Sequence, residues 1–162
     1  MLFRSEIKDS MSIILPDNKA FSNITVIDGR ISCDKITIYS KKLKDMFPQH
    51  DDGPKHLRPI KLESWQQDIV NKFPKDFLRG LIHSDGCRYI AKQDKYQSPR
   101  YCFTNVSTDI IELCCSTMNK LGITYSISKK AIKGLMKYHS YNVFVQKKQC
   151  VEILDSFIGP KT

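Results

Sequence analysis

Residues 77–86 read Phe77-Leu78-Arg79-Gly80-Leu81-Ile82-His83-Ser84-Asp85-Gly86, and Pro74-Lys75-Asp76 leads into them. Proline is tolerated in a first helical turn, where its missing N–H has no intrahelical partner in any case. Phe77, Leu78, Leu81 and Ile82 recur at helical spacing and form one apolar face. Gly80 and Ser84 lie four apart and form a second face with almost no side chain, which lets another backbone approach closely. The run is too short and too charged to cross a membrane. Asp85 stands at the carboxyl end of this predicted helix, where the helix dipole is negative. A carboxylate there costs stability unless a cation neutralises it, and a divalent metal, which takes oxygen ligands, is the obvious partner. An ordinary helix-to-hairpin turn at Asp-Gly fits the same ten residues, so on their own they leave both readings open.

Working outward, Cys87 to Lys92 and Arg100 to Val106 read as strands joined by a turn-prone loop, Gln93 to Pro99. Ser107 caps a following helix, with Asp109 and Glu112 near its start. Ile110, Cys114, Met118 and Leu121 form its buried stripe, and Gly122 ends it in a left-handed conformation. Ile123 to Ser128 and Ser140 to Val145 alternate as two more strands. Lys148 to Ile158 is a last helix, with Val151, Leu154 and Phe157 inward, stopped by Gly159-Pro160. Upstream, Glu63 to Phe73 spaces Trp65, Ile69 and Phe73 four apart as an anchoring face. Residues 48–62 hold three prolines and one glycine and read as a connector. His50 and His56 beside Asp51 and Asp52 lack the regular spacing of a metal site on one element. Before the connector, Ile7, Met11, Ile14 and Leu15 sit at helical spacing, Phe21 to Ile27 and Lys35 to Tyr39 read as strands around a turn at Asp28-Gly29, and Ser40 to Phe47 is a short helix.

Residues 74–159 therefore spell helix, strand, strand, helix, strand, strand, helix, an α+β pattern. Residues 78–86 resemble the motif of the LAGLIDADG homing endonuclease family, which also includes RNA maturases and intein domains. Leu78, Gly80, Leu81, Ile82, Asp85 and Gly86 match it. Arg79 replaces its first alanine, His83 its first aspartate and Ser84 its second alanine. The stretches at 39–50 and 53–56 and the later Phe103-Thr104-Asn105-Val106-Ser107 also resemble bacterial proteins of LAGLIDADG type. The resemblance implies one complete αββαββα unit at 74–162, with a four-stranded antiparallel sheet facing DNA. It implies a partial unit at 1–47 (helix, hairpin, helix) and a connector at 48–73 containing a short helix.

Charge points the same way. The chain carries 26 Lys+Arg against 17 Asp+Glu, and residues 86–162 hold 12 of the basic and only 5 of the acidic residues. Such an asymmetry favours a polyanionic partner, nucleic acid before an anionic membrane. If the sheet faces DNA, its hairpins offer Arg88, Lys92, Lys95, Tyr96 and Arg100, then Lys129, Lys130, Lys133, Lys137, Tyr138, His139 and Tyr141. Lysine and arginine would meet phosphates, while arginine, glutamine and asparagine would read bases.

For cleavage, the family pairs two motif helices through small residues, here Gly80 and Ser84, and brings two motif aspartates together around Mg²⁺. Asp85 is the metal-binding acid that the resemblance assigns to this chain, with Lys147 and Lys148, after the last strand, as assisting catalytic residues. One motif aspartate per chain means that a full site needs a second chain, through a homodimer built on the motif helix. Cys102 and Phe103 stand where the family often places a polar residue on the second strand. The expected function is Mg²⁺-dependent cleavage of double-stranded DNA. The alternatives are a non-cleaving DNA-binding protein (a transcription regulator or a degenerate endonuclease) and an RNA maturase. No Gly-x-Ser-x-Gly nucleophile or phosphate-cradling glycine loop is present. The six cysteines include no Cys-x-x-Cys pair and read as reduced, mostly buried thiols of a cytoplasmic protein with no membrane partner.

Overall fold

The computed structural model describes residues 2–28, 30–49, 58–93, 96–132 and 138–159. The chain divides near residue 50 into two compact units. The first contains helix α1 (Leu2–Ile14), strands β1 (Phe21–Ile27) and β2 (Arg30–Thr37), and a single-turn helix α2 (Leu43–Met46). The strands pair antiparallel with a bulge between Thr25 and Val26, and Asp28 takes the positive φ that the turn requires. Leu15 is buried as the α1 pattern anticipates, whereas Ile14 beside it is half exposed. Asn18 Nδ2 donates to the Tyr39 carbonyl, which ties the end of α1 to the end of the hairpin.

The second unit runs α3 (Ser64–Lys72), α4 (Pro74–Asp85), β3 (Gly86–Gln93), β4 (Tyr96–Asn105), α5 (Thr108–Lys120), β5 (Ser126–Lys130), β6 (Ser140–Val145) and α6 (Lys148–Ile158). From α4 onward this is the expected αββαββα order. The four strands form one antiparallel sheet in the order β3-β4-β6-β5. Helices α4, α5 and α6 pack on one of its faces. The core between them contains Leu78 and Ile82 of α4, Tyr101 and Phe103 of β4, Ile111, Cys114 and Met118 of α5, Val143 and Val145 of β6, and Val151, Leu154 and Ile158 of α6. Ser107 caps α5 through its side chain, which accepts from the Ile110 N–H. Gly122 closes α5 at φ 68°, and Ile123 N–H returns to the Met118 carbonyl, the double closure that left-handed helix ends use.

Five expectations shift, the first two in strand bounds: β2 runs Arg30–Thr37 rather than Lys35 to Tyr39, and β4 already begins at Tyr96 rather than Arg100. The buried side of α3 is Gln66 and Val70, while Trp65, Ile69 and Phe73 are about half exposed, so the expected anchoring stripe lies on the outer side. On α5, burial centres one position later, on Ile111, Cys114, Cys115 and Met118, with Ile110 and Leu121 at the margin of the core. Strand β5 begins at Ser126 rather than Ile123, because Ile123 is taken into the core by the closure of α5. The histidines and aspartates of the connector, His50, Asp51, Asp52 and His56, lie outside the described residues.

One polar cluster ties the sheet to α6. Arg88 Nε and Nη2 donate to the two carboxylate oxygens of Asp155 at 2.8 and 2.9 Å. The hydroxyl of the buried Tyr101 donates to the same carboxylate at 2.7 Å. The Arg88 hydrogen bond is the main reason the Asp155 carboxyl is held below its ordinary range, and burial opposes it only in part. A depressed carboxyl contributes stability that is present above its unfolded value and is lost as pH falls through its folded value. Asp155→Ala leaves the Tyr101 hydroxyl buried without its acceptor and should cost about 1–3 kcal/mol at neutral pH. The gap between urea melts of variant and wild type should begin to narrow below about pH 4 and shrink further as the depressed wild-type carboxyl protonates. A constant gap down to pH 2 would show that the charge contributes nothing.

Candidate nucleic-acid interface

Helix α4 runs without interruption to Asp85, and Gly86 is already the first residue of β3. Gly86 has extended backbone and returns its N–H to the Ile82 carbonyl. A β-carbon at Gly86 would lie 2.9 Å from both Cα and O of Ile82, so the side-chain-free residue is what lets the strand leave so close to the last helical turn. This junction puts the Asp85 carboxylate at one end of the sheet, exposed to solvent. Asn105 Nδ2 at the end of β4 donates to Asp85 Oδ2 at 3.4 Å, and Ser84 Oγ donates to the same oxygen at 3.3 Å. Asn105 Oδ1 accepts from the Ser107 N–H, so the asparagine is held from its other side.

The bare stripe of α4 faces outward. A β-carbon at Gly80 would meet nothing within 4 Å among the described residues, and Ser84 is exposed. The opposite side of the helix packs inward through Leu78, Ile82 and His83. Two departures from the motif act together there. His83 Nε2 donates to the Ile158 carbonyl at 2.8 Å, and Arg79 Nε donates to the same oxygen at 3.2 Å. The Arg79 guanidinium complements the dipole at the C-terminal end of α6. Arg79 and His83, one turn apart, thus both hold the last carbonyl of α6.

Strand alternation sorts the residues expected to face DNA. Tyr101 and Phe103 lie under the helices, so their cross-strand partners Arg88 and Gly86 share that covered face. Arg88 was expected on the open face; it is engaged with Asp155 on the helix side instead. Lys92 has the same parity. Tyr141 packs against the core, and its partner Lys129 sets its ammonium 5.9 Å from the Tyr141 ring centroid, so both fall on the covered side. The open face receives Tyr96, Arg100 and Lys130, with Tyr96 81% exposed. Tyr138 and His139 lie just before β6, with His139 Nδ1 3.3 Å from the Lys130 carbonyl. Lys95, Lys133 and Lys137 lie outside the described residues.

The same alternation brings up residues that charge counting overlooks. Tyr89 pairs with Arg100, and Thr104 pairs with Asn142, all on the open face. Thr104 Oγ1 donates to Asn142 Oδ1 at 2.8 Å. Asn105, which touches Asp85, has the other parity, that of Phe103, and Phe103 is fully buried under the helices. Even and odd positions in the strand were the signal that could have found Tyr89, Thr104 and Asn142. Lys147 and Lys148 are not brought to Asp85 within this unit. Gly86 pairs with Phe103 and Val145 pairs with Tyr101, so the chain beyond Val145 runs away from the Asp85 end. Lys147 precedes α6, and Lys148 forms a 3.9 Å ion pair with Glu152 one turn on.

Among the described residues no three histidine, cysteine, aspartate or glutamate side chains gather into a metal-binding group. The donor set at Asp85, one exposed carboxylate at the negative end of a helix, suits a hard cation. Mg²⁺ is commonly held by one or two carboxylates while retaining several waters. The residues thus fit half of such a site.

Residues 72–156 match the family model of the LAGLIDADG-like domain. No curated protein matches the chain. Among solved structures, the chain is similar to mesophilic variants of the homing endonuclease I-DmoI at 14% identity and a TM-score of 0.55, over 98% of this chain and 75% of that one. I-DmoI in complex with DNA and Mn matches at 22% identity and a TM-score of 0.38, over 51% of this chain and 48% of that one. The complex with DNA and Ca gives the same identity and TM-score over 44% of its chain. The chain thus spans about half the length of those DNA complexes in these matches. No helix among the described residues is long and apolar enough to cross a membrane.

Proposed function

The chain belongs to the LAGLIDADG-like domain family, and from that premise we propose that it is a cytoplasmic protein that binds double-stranded DNA on the open face of its four-stranded sheet. Given a second motif helix, it cleaves that DNA with Mg²⁺. The observation that supports this reading is the junction of α4 with β3, where the motif acid Asp85 is exposed at one end of the sheet, beside Asn105 at the end of β4. Tyr89, Tyr96, Arg100, Thr104, Lys130 and Asn142 are the residues we assign to the duplex. Arg100 and Lys130 meet phosphates, and the polar pair Thr104–Asn142 lies within the face. Tyr138 and His139, and the lysines at 95, 133 and 137, extend the same basic surface in our reading.

Asp85 would hold the cation, with Asn105 and Ser84 orienting its carboxylate. When bound, the metal supplies Lewis-acid stabilisation of the charge that develops on the scissile phosphate. The chain supplies the rest: the sheet positions the duplex, and the bare stripe at Gly80 and Ser84 receives the motif helix of a second copy, which brings the second carboxylate. Lys147 and Lys148, distant from Asp85 in one chain, are assigned to phosphate contact or to the partner's half of the site. The single motif acid also favours a second reading, a DNA-binding protein that does not cleave.

Retention on duplex DNA tests the first step. Neutralising several phosphates releases counterions, so affinity should fall by about 10³ or more between 50 and 200 mM salt if six or more contacts form. Arg100→Ala and Lys130→Ala should each flatten that slope by roughly one, and Lys92→Ala, on the covered side, should not. Equal effects of all three would remove the open face from the proposal.

Pairing is tested on α4 itself. Gly80→Leu and Ser84→Leu put bulk on the bare stripe while leaving the core side of the helix untouched. Sedimentation should show loss of the dimer in both variants, with the thermal melt of the single chain retained. A dimer unchanged in both would show that this stripe is not its interface.

A further inference from the structure

We propose that Cys87 and Cys102 form a reversible cross-strand disulfide in the presence of a hydroperoxide, a modification site on the open sheet face. The two residues are direct partners in the β3–β4 ladder. Directly opposed residues of an antiparallel pair share a face and have Cα atoms about 4.5–5.5 Å apart. A disulfide takes Cα atoms about 4.4–6.8 Å apart, so the bond closes without a change of register. Both cysteines are free, Cys87 exposed and Cys102 half-buried.

The remaining described thiols, Cys114, Cys115 and Cys150, are buried beneath the helices. Burial pushes the Cys114 thiol up to about 12 and raises the half-buried Cys102 as well, so the exposed Cys87 is the thiol that meets the peroxide first. Neither Cys87 nor Cys102 serves the core or the acid Asp85. The inference stands on the ladder register alone and does not depend on the DNA reading.

The chemistry needs only the peroxide. The Cys87 thiolate attacks the terminal oxygen of ROOH, the O–O bond breaks, and Cys87 sulfenic acid and ROH result. Sγ of Cys102 then attacks the sulfenic sulfur. The S–O bond breaks, the S–S bond forms, and the hydroxyl leaves as water with the Cys102 proton. Two thiols and one hydroperoxide give one disulfide, one alcohol (or water) and one water. A dithiol reverses the change by exchange.

The test treats the full chain with hydrogen peroxide at neutral pH. The intact mass should fall by two hydrogen atoms, and a non-reducing digest should give one linked species joining the Cys87 and Cys102 peptides. Closing a loop of about 15 residues should raise the melting temperature on the order of 10 °C, and dithiothreitol should reverse the mass change and the melt. Cys87→Ser and Cys102→Ser, at exposed and half-buried positions, should each fold and lose both effects. The proposal is overturned by peroxide leaving both thiols free, or by Cys87 reaching sulfinic acid while Cys102 remains alkylatable. A link to another cysteine or another chain overturns it equally.

Discussion

Asp85→Asn should reduce metal-dependent strand cleavage by at least about a thousandfold, the several kcal/mol that a catalytic metal supplies. Duplex binding should survive. The substitution preserves shape and removes the one charge at the α4–β3 junction. Asn105 Nδ2 and Ser84 Oγ, which both donate to Asp85 Oδ2, still find an amide oxygen there. The protein–DNA contacts assigned above come from side chains on the open face, none of which changes. Without metal the variant should be equal to wild type or more stable by about 0.3–1 kcal/mol, because a carboxylate at a helix C-terminus opposes the dipole. Melts with and without Mg²⁺ or Ca²⁺ and duplex DNA, beside a nicking assay, separate the cases. A variant that nicks as well as wild type removes Asp85 from the mechanism. A wild type that binds DNA, does not respond to metal and never nicks favours the non-cleaving reading.

Phe103→Ala should cost about 3–5 kcal/mol, the range for emptying a fully buried aromatic position. Phe103 is fully buried, and its cross-strand partner is Gly86, so it packs directly behind the junction that sets Asp85. Thr104→Ala, one residue along and on the open face, should change stability by about 0.5 kcal/mol or less. The resemblance points to a polar residue near Cys102 and Phe103 on this strand, and the pair of variants tests the structural answer. Position 103 belongs to the core, while Thr104 and Asn142 carry the polarity of the open face. Similar urea midpoints for the two variants would contradict the alternation on which the whole assignment of faces rests.

Much of this is legible in the sequence itself. The α4 helix, its apolar face and its stop at Asp85 follow from Leu78, Leu81, Ile82 and the Asp-Gly pair, because a 3.6-residue period and a breaker are local signals. The six elements after α4 were readable for the same reason, although β5 starts later because the closure of α5 draws Ile123 into the core. The face to which each charge belongs was harder to read. Arg88, Lys129 and Tyr141 look like surface residues by type, yet their parity puts them with Tyr101 and Val143 on the helix side. A long polar side chain at a sheet margin can reach water from either face, so composition does not distinguish them. Arg79 and His83 were visible only as departures from a motif. Their common acceptor, the Ile158 carbonyl, lies seventy-five residues or more away in the chain. On α3, Trp65, Ile69 and Phe73 kept the period while Gln66 and Val70 took the buried side, since periodicity reports a stripe and not the direction it faces.

The most direct measurement is incubation of the protein with a randomised duplex library, once with EDTA and once with Mg²⁺, followed by sequencing of the bound molecules and of newly formed ends. The account predicts a discrete family of bound duplexes in EDTA and, in Mg²⁺, ends that fall within that same family. A library recovered without enrichment, in both conditions and at low salt, would contradict it.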